Sequence, residues 1–405
     1  MKLTKMKPLI FLLILLAYCF TSCKDRKATA DHAAVMPDDF PEHTDTLRTA
    51  KIIWDKTEKK ISHDVYFSEY GRIERLSGDT IMLVYHFGPK GKEWDNIGLR
   101  RSDDNGKTWS EVSVMSPDHK LQKYSGYCTP ELLMLKNRKL MLAYAGRGIP
   151  DDTLHNNLQV RISSDFGKSW SDPKVVAIGR SWEPGMIQLD NGEIQLFFAN
   201  EIENKGAKGR PEQQIMMIAS KDDGANWSNA KKVAFTPKVR DGMPVPLLLN
   251  DKKGIVFFIE AVENHRSPEV IWSSLKANWN YSGLASADNG RRWFGAIDPV
   301  WGGAPYALQL PTGETIIAMQ TEAGRKLDRY KEWKKNSVVV MVGNSVAKNF
   351  GSLSWPYPDL PITEGRYFCS LFQKDKNTIV LVSTRNNKEG RSEIFWKEGK
   401  VLLEK

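Results

Sequence analysis

The sequence has few cysteines, few histidines and no apolar run long enough to form a mature membrane helix. Cys19 and Cys23 lie near the start of the chain, which leaves Cys128 and Cys369 for the remainder. Two cysteines in separate repeats make no disulfide framework, so we expect both to be small buried hydrophobes. The seven histidines are scattered without metal-ligand spacing. The sequence therefore predicts no metal site and implies no cofactor.

Nucleic-acid binding is also unsupported by the charge pattern. The formal net charge is +9, but the 58 basic residues are interspersed with 49 acidic ones. There is no basic stripe and no nucleic-acid-binding module. A mildly basic surface could favour anionic glycans, although an ordinary solvated surface is the simpler interpretation. We expect a monomer with no nucleic-acid partner.

Residues 1–22 have the pattern of a lipoprotein export signal. Three lysines precede the apolar run Pro8 to Phe20, which is too short to span a bilayer as a mature helix. The run ends in Phe20-Thr21-Ser22-Cys23, which resembles a bacterial lipobox with Phe in place of the usual aliphatic residue. Cys23 is then the lipidated N-terminus, and residues 23–48 form a flexible tether. The alternative is an ordinary signal peptide that is cleaved nearby.

This pattern predicts an exported protein whose only membrane contact is its lipid anchor. The anchor would hold it on a bacterial membrane, at the cell surface or facing the periplasm.

The rest of the chain is organised around one repeated motif, Ser-x-Asp-x-Gly-x-x-Trp. Repetition at a near-constant spacing of about 60 residues indicates stacked copies of one supersecondary unit. The Asp and Ser side chains bind nearby amides and hold a tight turn, the Gly allows its backbone conformation, and the Trp packs between sheets. The aspartates are therefore interpreted as structural. The four motifs begin at Ser102, Ser163, Ser220 and Ser286, and their aspartates are Asp104, Asp165, Asp222 and Asp288.

Between the motifs the sequence is strand-like, and six hairpins begin near residues 71, 131, 185, 245, 306 and 369. We predict that residues 49–405 form an all-β, six-bladed β-propeller with four antiparallel strands per blade. A fifth motif is degenerate between Asn344 and Trp355. Lys51 to Glu58 is expected to pair with Glu393 to Glu404, so that the two ends of the chain close the ring.

Aligning the hairpins reveals two columns in which one residue differs in charge from the others. The first column precedes a recurring proline, and Glu183 is its only acid. The second column ends the second strand of each hairpin, and Glu260 is its only acid. The first column comprises Tyr70, Thr129, Glu183, Met243, Ala304 and, with one residue of slack, Tyr367; the second comprises His86, Ala145, Ala199, Glu260, Gln320 and Thr384.

Adjacent blades would place Glu183 and Glu260 at one cavity. Two carboxylates on either side of a scissile bond are what glycoside hydrolysis requires. His86 and Gln320, from the second column, are expected to contact the substrate. For Glu183 the simpler alternative is a structural bond to backbone amides, and for His86 it is a hydrogen-bonded position in the cavity wall.

The motif is the Asp-box repeat, and the chain resembles the bacterial sialidases (neuraminidases) and their relatives, which are six-bladed β-propellers. The resemblance implies that Arg72 binds a substrate carboxylate, although Glu74 replaces the proline of the usual Arg-Ile-Pro. It also implies a glutamate that activates a tyrosine nucleophile, at Glu183 and Tyr367, and an acid/base aspartate, for which Asp95 is the nearest candidate. Tyr367 could instead be a core residue and Asp95 an ordinary loop residue.

The usual second arginine of sialidases is replaced by Asn200-Glu201. Four loop arginines could help to form an arginine cluster, but none of them matches the family by motif; they are Arg147, Arg210, Arg325 and Arg385. Of these, we expect Arg385 to contact the substrate.

The chain also resembles the exo-acting arabinanases, which share the propeller. In them a Trp-Glu-Pro glutamate is the nucleophile and a fourth-blade glutamate is the acid/base. The resemblance transfers these roles to Glu183 and Glu260 and needs no arginine triad. Trp182, next to Glu183, is expected either to form a sugar platform or to seal the blades.

The leading hypothesis is a sialidase-superfamily exo-glycoside hydrolase that removes terminal sugars from glycans. The alternatives are an exo-arabinanase-like hydrolase of a neutral polysaccharide and a non-catalytic glycan-binding propeller.

Overall fold

The computed structural model describes residues 50–92, 95–115, 124–148, 155–205, 209–262, 267–297, 300–328 and 331–403, with the backbone alone for residues 203–205. The predicted export signal, Cys23 and the tether lie outside this part of the chain. Within it the regular structure is β-strand, except for one short 3-10 helix at Trp333–Lys335. No helix in these ranges has the length and apolar character needed to cross a membrane.

The described strands form successive antiparallel groups of four in chain order. β1 (Ala50–Trp54) and β2 (Lys59–Lys60) come first and join the last group. The first three groups are, respectively, β3 (Phe67–Ser77), β4 (Thr80–Gly88), β5 (Asn96–Ser102) and β6 (Ser113–Val114); β7 (Gly126–Met134), β8 (Leu140–Arg147), β9 (Asn157–Ser163) and β10 (Lys174–Ile178); and β11 (Ser181–Gln188), β12 (Ile194–Lys205), β13 (Pro211–Ser220) and β14 (Lys231–Phe235).

The last three groups follow the same antiparallel order. They are β15 (Arg240–Leu248), β16 (Gly254–Val262), β17 (Glu269–Ser274) and β18 (Arg292–Phe294); β19 (Gly303–Gln309), β20 (Thr315–Thr321), β21 (Ser337–Gly343) and β22 (Gly351–Ser354); and β23 (Gly365–Gln373), β24 (Thr378–Asn386) and β25 (Ser392–Leu403), with β1 and β2 beside β25.

The two ends of the described chain meet in one sheet. β1 pairs antiparallel with the end of β25, from Ala50 opposite Leu403 to Trp54 opposite Gly399. β2 pairs with an earlier part of the same strand. The outer strand of group six is thus supplied from the start of the chain, which covers the edge that β25 would otherwise expose.

The hydrophobic core lies between the groups. Six clusters of buried apolar side chains each combine residues of two successive groups, and one of them combines group six with group one. The alternating faces of each sheet therefore pack against two neighbours. Cys128 and Cys369 are free and buried in two of these clusters, as expected of small hydrophobes.

The first strand of each group contains a β-bulge at an equivalent position. One bulge residue has a left-handed backbone conformation in every group, which is uncommon for residues other than glycine. The next residue is proline in four groups, which fits a bulge because proline has no N–H to pair. The left-handed residues are Tyr70, Thr129, Glu183, Met243, Ala304 and Phe368, with φ of 63°, 48°, 46°, 52°, 43° and 45°. The sixth member of this column is thus Phe368, and its assignment to Tyr367 was wrong by one residue.

Three Asp boxes form the predicted turn. In the second, Asp165 Oδ1 accepts from the Ser169 amide at 2.9 Å, Oδ2 accepts from the Ser169 hydroxyl at 2.6 Å, and Ser163 Oγ donates to Oδ1 at 2.8 Å. Asp104 and Asp222 have equivalent bonds. In the first box a Cβ on Gly106, where φ is 86°, would lie 2.6 Å from the ring of Trp396, so glycine is required there.

The fourth box departs from this pattern. Asn289 Oδ1 accepts from the amides of Ser286 and Arg291, at 2.9 and 3.3 Å. Ser286 Oγ accepts from the Asn289 amide at 3.3 Å, and backbone bonds from Gly290 to Ala287 and from Arg292 to Ser286 complete the turn. Asn289, and not Asp288, is thus the side chain that accepts two amides here, which departs from the role predicted for Asp288. In the degenerate fifth motif, Asn344 Oδ1 accepts from the amides of Val346 and Lys348, at 3.2 and 2.8 Å.

This difference gives a matched test of the turns. Asp165→Ala should lower the melting temperature, because it removes the acceptor of the Ser169 amide and both hydroxyl bonds. Asp288→Ala should lower it less, because Asn289 holds that turn. Thermal unfolding of the two variants beside the wild type measures the difference, and an equal loss in both would contradict the assignment.

Candidate active site

Each bulge presents a backbone N–H that the sheet does not pair, and a side chain of the preceding group accepts it. In four groups the acceptor is the second-column residue: His86 Nδ1, Glu260 Oε2, Gln320 Oε1 or Thr384 Oγ1. The donors are the amides of Thr129 (3.1 Å), Ala304 (2.8 Å), Phe368 (3.0 Å) and Tyr70 (3.3 Å), respectively. The two sequence columns therefore meet at the boundaries between groups.

Alanine occupies the second column in groups two and three, and there the acceptor comes from the first column instead. Thr129 Oγ1 accepts from the Glu183 amide at 3.2 Å. Glu183 Oε2 in turn accepts from the Met243 amide at 3.3 Å. Glu183 thus has the structural bond to a backbone amide that was its simpler interpretation.

Glu183 and Glu260 nevertheless line the same cavity, which has a volume of about 260 Å³. The hydrogen bonds to Met243 and Ala304 each occupy one oxygen, Oε2. Both side chains are partly exposed to the cavity. Arg210, Met243, Val262, Trp301, Gly303, Gln320, Trp333 and Phe368 complete the lining.

Two glycines leave room for the Glu260 carboxylate. A Cβ on Gly303 would lie 3.1 Å from Glu260 Oε2, and a Cβ on Gly242 would lie 3.5 Å from Oε1. Gly242 pairs with Glu260 across β15 and β16. A side chain in place of Gly303 would therefore crowd the carboxylate, whereas a Cβ in place of Gly242 would be in ordinary van der Waals contact with it.

The two carboxyls differ in their electrostatic surroundings. Burial, and then the negative charge of Glu260, raises the pKa of Glu183 to about 8. Burial also raises the pKa of Glu260, but the Ala304 amide and the positive charges of Arg240 and Arg210 oppose the shift. Both shifts favour the protonated carboxyl, so we expect the ligand-free pair to hold a proton at neutral pH.

The cavity wall contains aromatic residues that the sequence patterns did not identify as site residues. Trp333 lies on the 3-10 helix between β20 and β21, and its ring contacts Phe368 with centroids 5.3 Å apart. This connection contains no repeated motif, so alignment of the repeats could not identify Trp333 as a site residue. Phe368 could have been found by shifting group six one residue, because its left-handed backbone completes the column.

Tyr367 lies behind this wall and not on it. Its ring packs edge-on against Trp333, and its hydroxyl donates to Glu69 Oε1 at 2.7 Å. Lys334 Nζ also binds Oε1, at 3.1 Å, and His86 Nε2 is 3.8 Å from Oε2. Burial alone would raise the pKa of Glu69, but bonding to His86 and Tyr367 and the charge of Lys334 lower it to about 2. His86 is thus a hydrogen-bonded interior residue, and neither it nor Tyr367 lines the cavity.

Arg72 lies in the interior, away from the lining of the Glu183 cavity. Its guanidinium stacks 3.7 Å from the Tyr70 ring centroid and 4.9 Å from that of Tyr306. Its Nε is 3.5 Å from Glu131 Oε2, and the side chain is 1% exposed. Burial raises the pKa of Glu131 to about 7, a shift that the charge of Arg72 opposes. This position does not support the predicted contact with a substrate carboxylate.

The remaining predicted residues also lie outside the lining of the Glu183 cavity. Asp95 is paired with Lys92 and accepts from Asn96 Nδ2 at 2.8 Å. Arg385 binds Glu364, with Nε 3.2 Å from Oε2. Trp182 packs in the core between groups, under the guanidinium of Arg147 at 3.6 Å. Of the predicted site residues, the structure thus brings together Glu183, Glu260 and Gln320.

The loop arginines do not converge on the cavity as a set. Arg147 donates to the carbonyls of Gly146 and Ser181, at 2.9 and 2.5 Å, and Arg325 donates to three carbonyls of a separate loop. Arg210 is the one arginine among the described residues that line the cavity. The described ranges also hold no group of three or more His, Cys, Asp or Glu side chains that could bind a metal.

Comparison with known proteins agrees with this architecture. Residues 43–293 match the family described as BNR repeat-like domain. A sialidase from Paraclostridium sordellii is 23% identical over 353 residues, which cover 79% of this chain and 83% of the sialidase.

Solved structures give the same fold at low identity. A protein of unknown function from Dyadobacter fermentans aligns with a TM-score of 0.66 and 17% identity, covering 87% of this chain and all of the other. The GH93 α-L-arabinofuranosidase of Fusarium graminearum, in complex with arabinobiose, aligns with a TM-score of 0.60 and 17% identity over 83% of this chain and 93% of its own. These neighbours are β-propellers.

The raised pKa of Glu183 predicts a pH dependence of stability. Between the ordinary value of 4.5 and about 8, the folded state binds a proton at Glu183 that the unfolded state has lost. The free energy of unfolding should therefore fall as pH rises through this window, and Glu183→Gln should make that fall shallower. Denaturant unfolding at several pH values measures both slopes. Identical slopes in the variant and the wild type would contradict the shift.

Proposed function

We propose that this chain, which belongs to the family of BNR repeat-like domains, is a glycoside hydrolase that removes terminal sugars from a glycan. The observation that carries the proposal is the pair Glu183 and Glu260, which share one cavity and hold a proton between them. The sialidase and arabinofuranosidase similarities support the same class.

The chemistry that this pair would perform follows from its two protonation states. One carboxylic acid protonates the leaving oxygen, and the other carboxylate attacks the anomeric carbon or activates a water. The arabinanase resemblance makes Glu183 the nucleophile, but the pKa of Glu183 is raised to about 8 in the ligand-free protein, which suits an acid. In the first assignment Glu183 loses its proton before it attacks and Glu260 is the acid; in the second, Glu183 is the acid and Glu260 is the nucleophile or base.

Glu183→Gln and Glu260→Gln should each lower kcat by about a thousandfold or more, because each removes an acid/base or nucleophile while preserving shape. A panel of chromogenic arabinofuranosides, sialosides and other terminal sugars identifies the substrate, and the thousandfold loss is then measured on the corresponding natural oligosaccharide, whose leaving group needs protonation. An aryl glycoside with a good leaving group needs no protonation, so the acid variant should retain far more activity on it than the nucleophile variant.

Asp95→Asn and Tyr367→Phe are the controls for this experiment, since both residues lie outside the cavity. Both should keep wild-type kcat. Normal turnover in Glu183→Gln, or loss of turnover in Tyr367→Phe with folding intact, would refute the glutamate pair.

A neutral terminal sugar is the second, more specific candidate, and the arginines favour it. A carboxylated sugar such as sialic acid would be held by converging arginines, whereas Arg210 is the one arginine in the described lining. Arg72 is buried against Tyr70, and Arg385 is paired with Glu364. We therefore favour an exo-arabinanase-like specificity over a sialidase, and the substrate panel decides between them.

We further propose that the six strand groups form a closed six-bladed propeller. Support comes from the six cores between successive groups, from the pairing of β1 with β25, and from the acceptor at each bulge, which links group six to group one through Thr384 and Tyr70. The cavity would then lie at the central axis of the propeller.

We also propose that the protein is exported and anchored through a lipid on Cys23, on the basis of the lipobox-like sequence before it. Metabolic labelling with a radioactive fatty acid should mark the wild type, and Cys23→Ser should abolish the label. An unlabelled wild type would instead support cleavage as an ordinary signal peptide.

A further inference from the structure

A second cavity, of about 410 Å³, is formed by two connections of groups five and six. One wall comes from residues 323–325, after β20, and the other comes from the connection 355–364, between β22 and β23. Arg325 joins them by donating to the carbonyls of Leu360, Pro361 and Glu364, at 2.9, 2.8 and 2.9 Å. The cavity is therefore held in shape by a fixed guanidinium.

This cavity has an exposed aromatic side chain. Trp355 is 37% exposed, which makes it the most exposed tryptophan of the described residues. Tyr357 lies beside it and is buried, with its hydroxyl 3.0 Å from Ser383 Oγ. Covering an indole that is exposed to water at a concave surface lowers the free energy, so a ligand that packs against Trp355 is stabilised there.

The polar groups around the indole suit a hydroxylated ligand. Ser337 lines the cavity, and its buried Oγ has no hydrogen-bond partner among the described residues. Leaving a buried hydroxyl unpaired costs free energy, so rotation of the Ser337 hydroxyl toward a ligand in the cavity would be favourable. An apolar face beside hydroxyl and carbonyl groups matches a sugar ring, which has apolar C–H faces and polar edges.

The two cavities are close along the chain. Gln320 lines the cavity of Glu183, and Ala323, three residues later, lines the second cavity. Three residues span at most about 10 Å. At the other end of the same connection, Trp333 lines the cavity of Glu183 and Ser337, four residues later, lines the second cavity. One extended glycan can therefore reach both cavities.

We propose that the Trp355 cavity is a second carbohydrate-binding site, which holds neutral sugar units of the glycan whose terminal residue lies between Glu183 and Glu260. The inference rests on the proposed function for the identity of the glycan. With this second site, the enzyme should bind a polymer more tightly than it binds an isolated terminal glycoside.

The test is affinity electrophoresis in gels that contain soluble linear arabinan, arabinogalactan or mucin. Glu183→Gln should be retarded like the wild type, because binding does not need turnover. Trp355→Ala should bind the retarding polysaccharide about tenfold more weakly, since it loses an aromatic contact surface. Trp355→Phe should recover most of the retardation. Ile362→Ala is the matched control, because Ile362 is 51% exposed on the same connection but does not line the cavity.

The kinetic arm separates this site from the catalytic one. Trp355→Ala should raise KM for the polysaccharide and leave kcat and KM for a chromogenic glycoside unchanged. Wild-type retardation of Trp355→Ala, or no retardation of the wild type in any gel, would overturn the second site. Retardation that depends on Trp355 in a protein that hydrolyses nothing would support the site and refute the proposed hydrolase.

Discussion

The arrangement of the candidate site depends on one constraint, the unpaired N–H at each first-strand bulge. A buried amide without an acceptor costs free energy, and at every bulge the left-handed residue has an amide that the sheet does not pair. Each is satisfied by a side chain from the preceding group, so the acceptors also join successive groups. This requirement places polar side chains where the first strands meet, beside the apolar clusters that lie between the groups.

The two glutamates meet this requirement in different ways, and the difference explains how they come together. Glu260 accepts from the Ala304 amide like the other polar members of its column. Glu183 accepts from the Met243 amide because Ala199 has no acceptor to offer. Each carboxyl is anchored through one oxygen, and both groups are partly exposed to the cavity. Anchoring of this kind orients a reactive group without requiring reorganisation during reaction.

Several polar residues that sequence motifs mark as chemical are instead used to compensate buried charge. Arg72 lies between two tyrosine rings and forms an ion pair with Glu131. The carboxylate of Glu69 contacts Tyr367, Lys334 and His86. Breaking such a buried pair leaves an uncompensated charge, so these residues have a structural reason to be retained. These residues therefore match a sialidase-like pattern in the sequence, but in the folded protein they lie outside the cavity of Glu183 and compensate buried charge.

The sequence by itself determined the features that depend on local bonding and on repetition. Ser-x-Asp-x-Gly-x-x-Trp predicts its own turn, and comparison of the two columns singled out Glu183 and Glu260 from the sequence alone. Asp288 shows the limit of a motif, since Asn289 one residue later holds the turn instead. Only the tertiary structure decided which side chains share a cavity. Arg72 is buried in the interior beside Glu131, and Phe368 rather than Tyr367 lines the cavity. Trp333 lies in a connection without a repeat, and Trp355 ends the degenerate fifth motif. The cavity that each of these side chains lines depends on packing between groups, which no local pattern records.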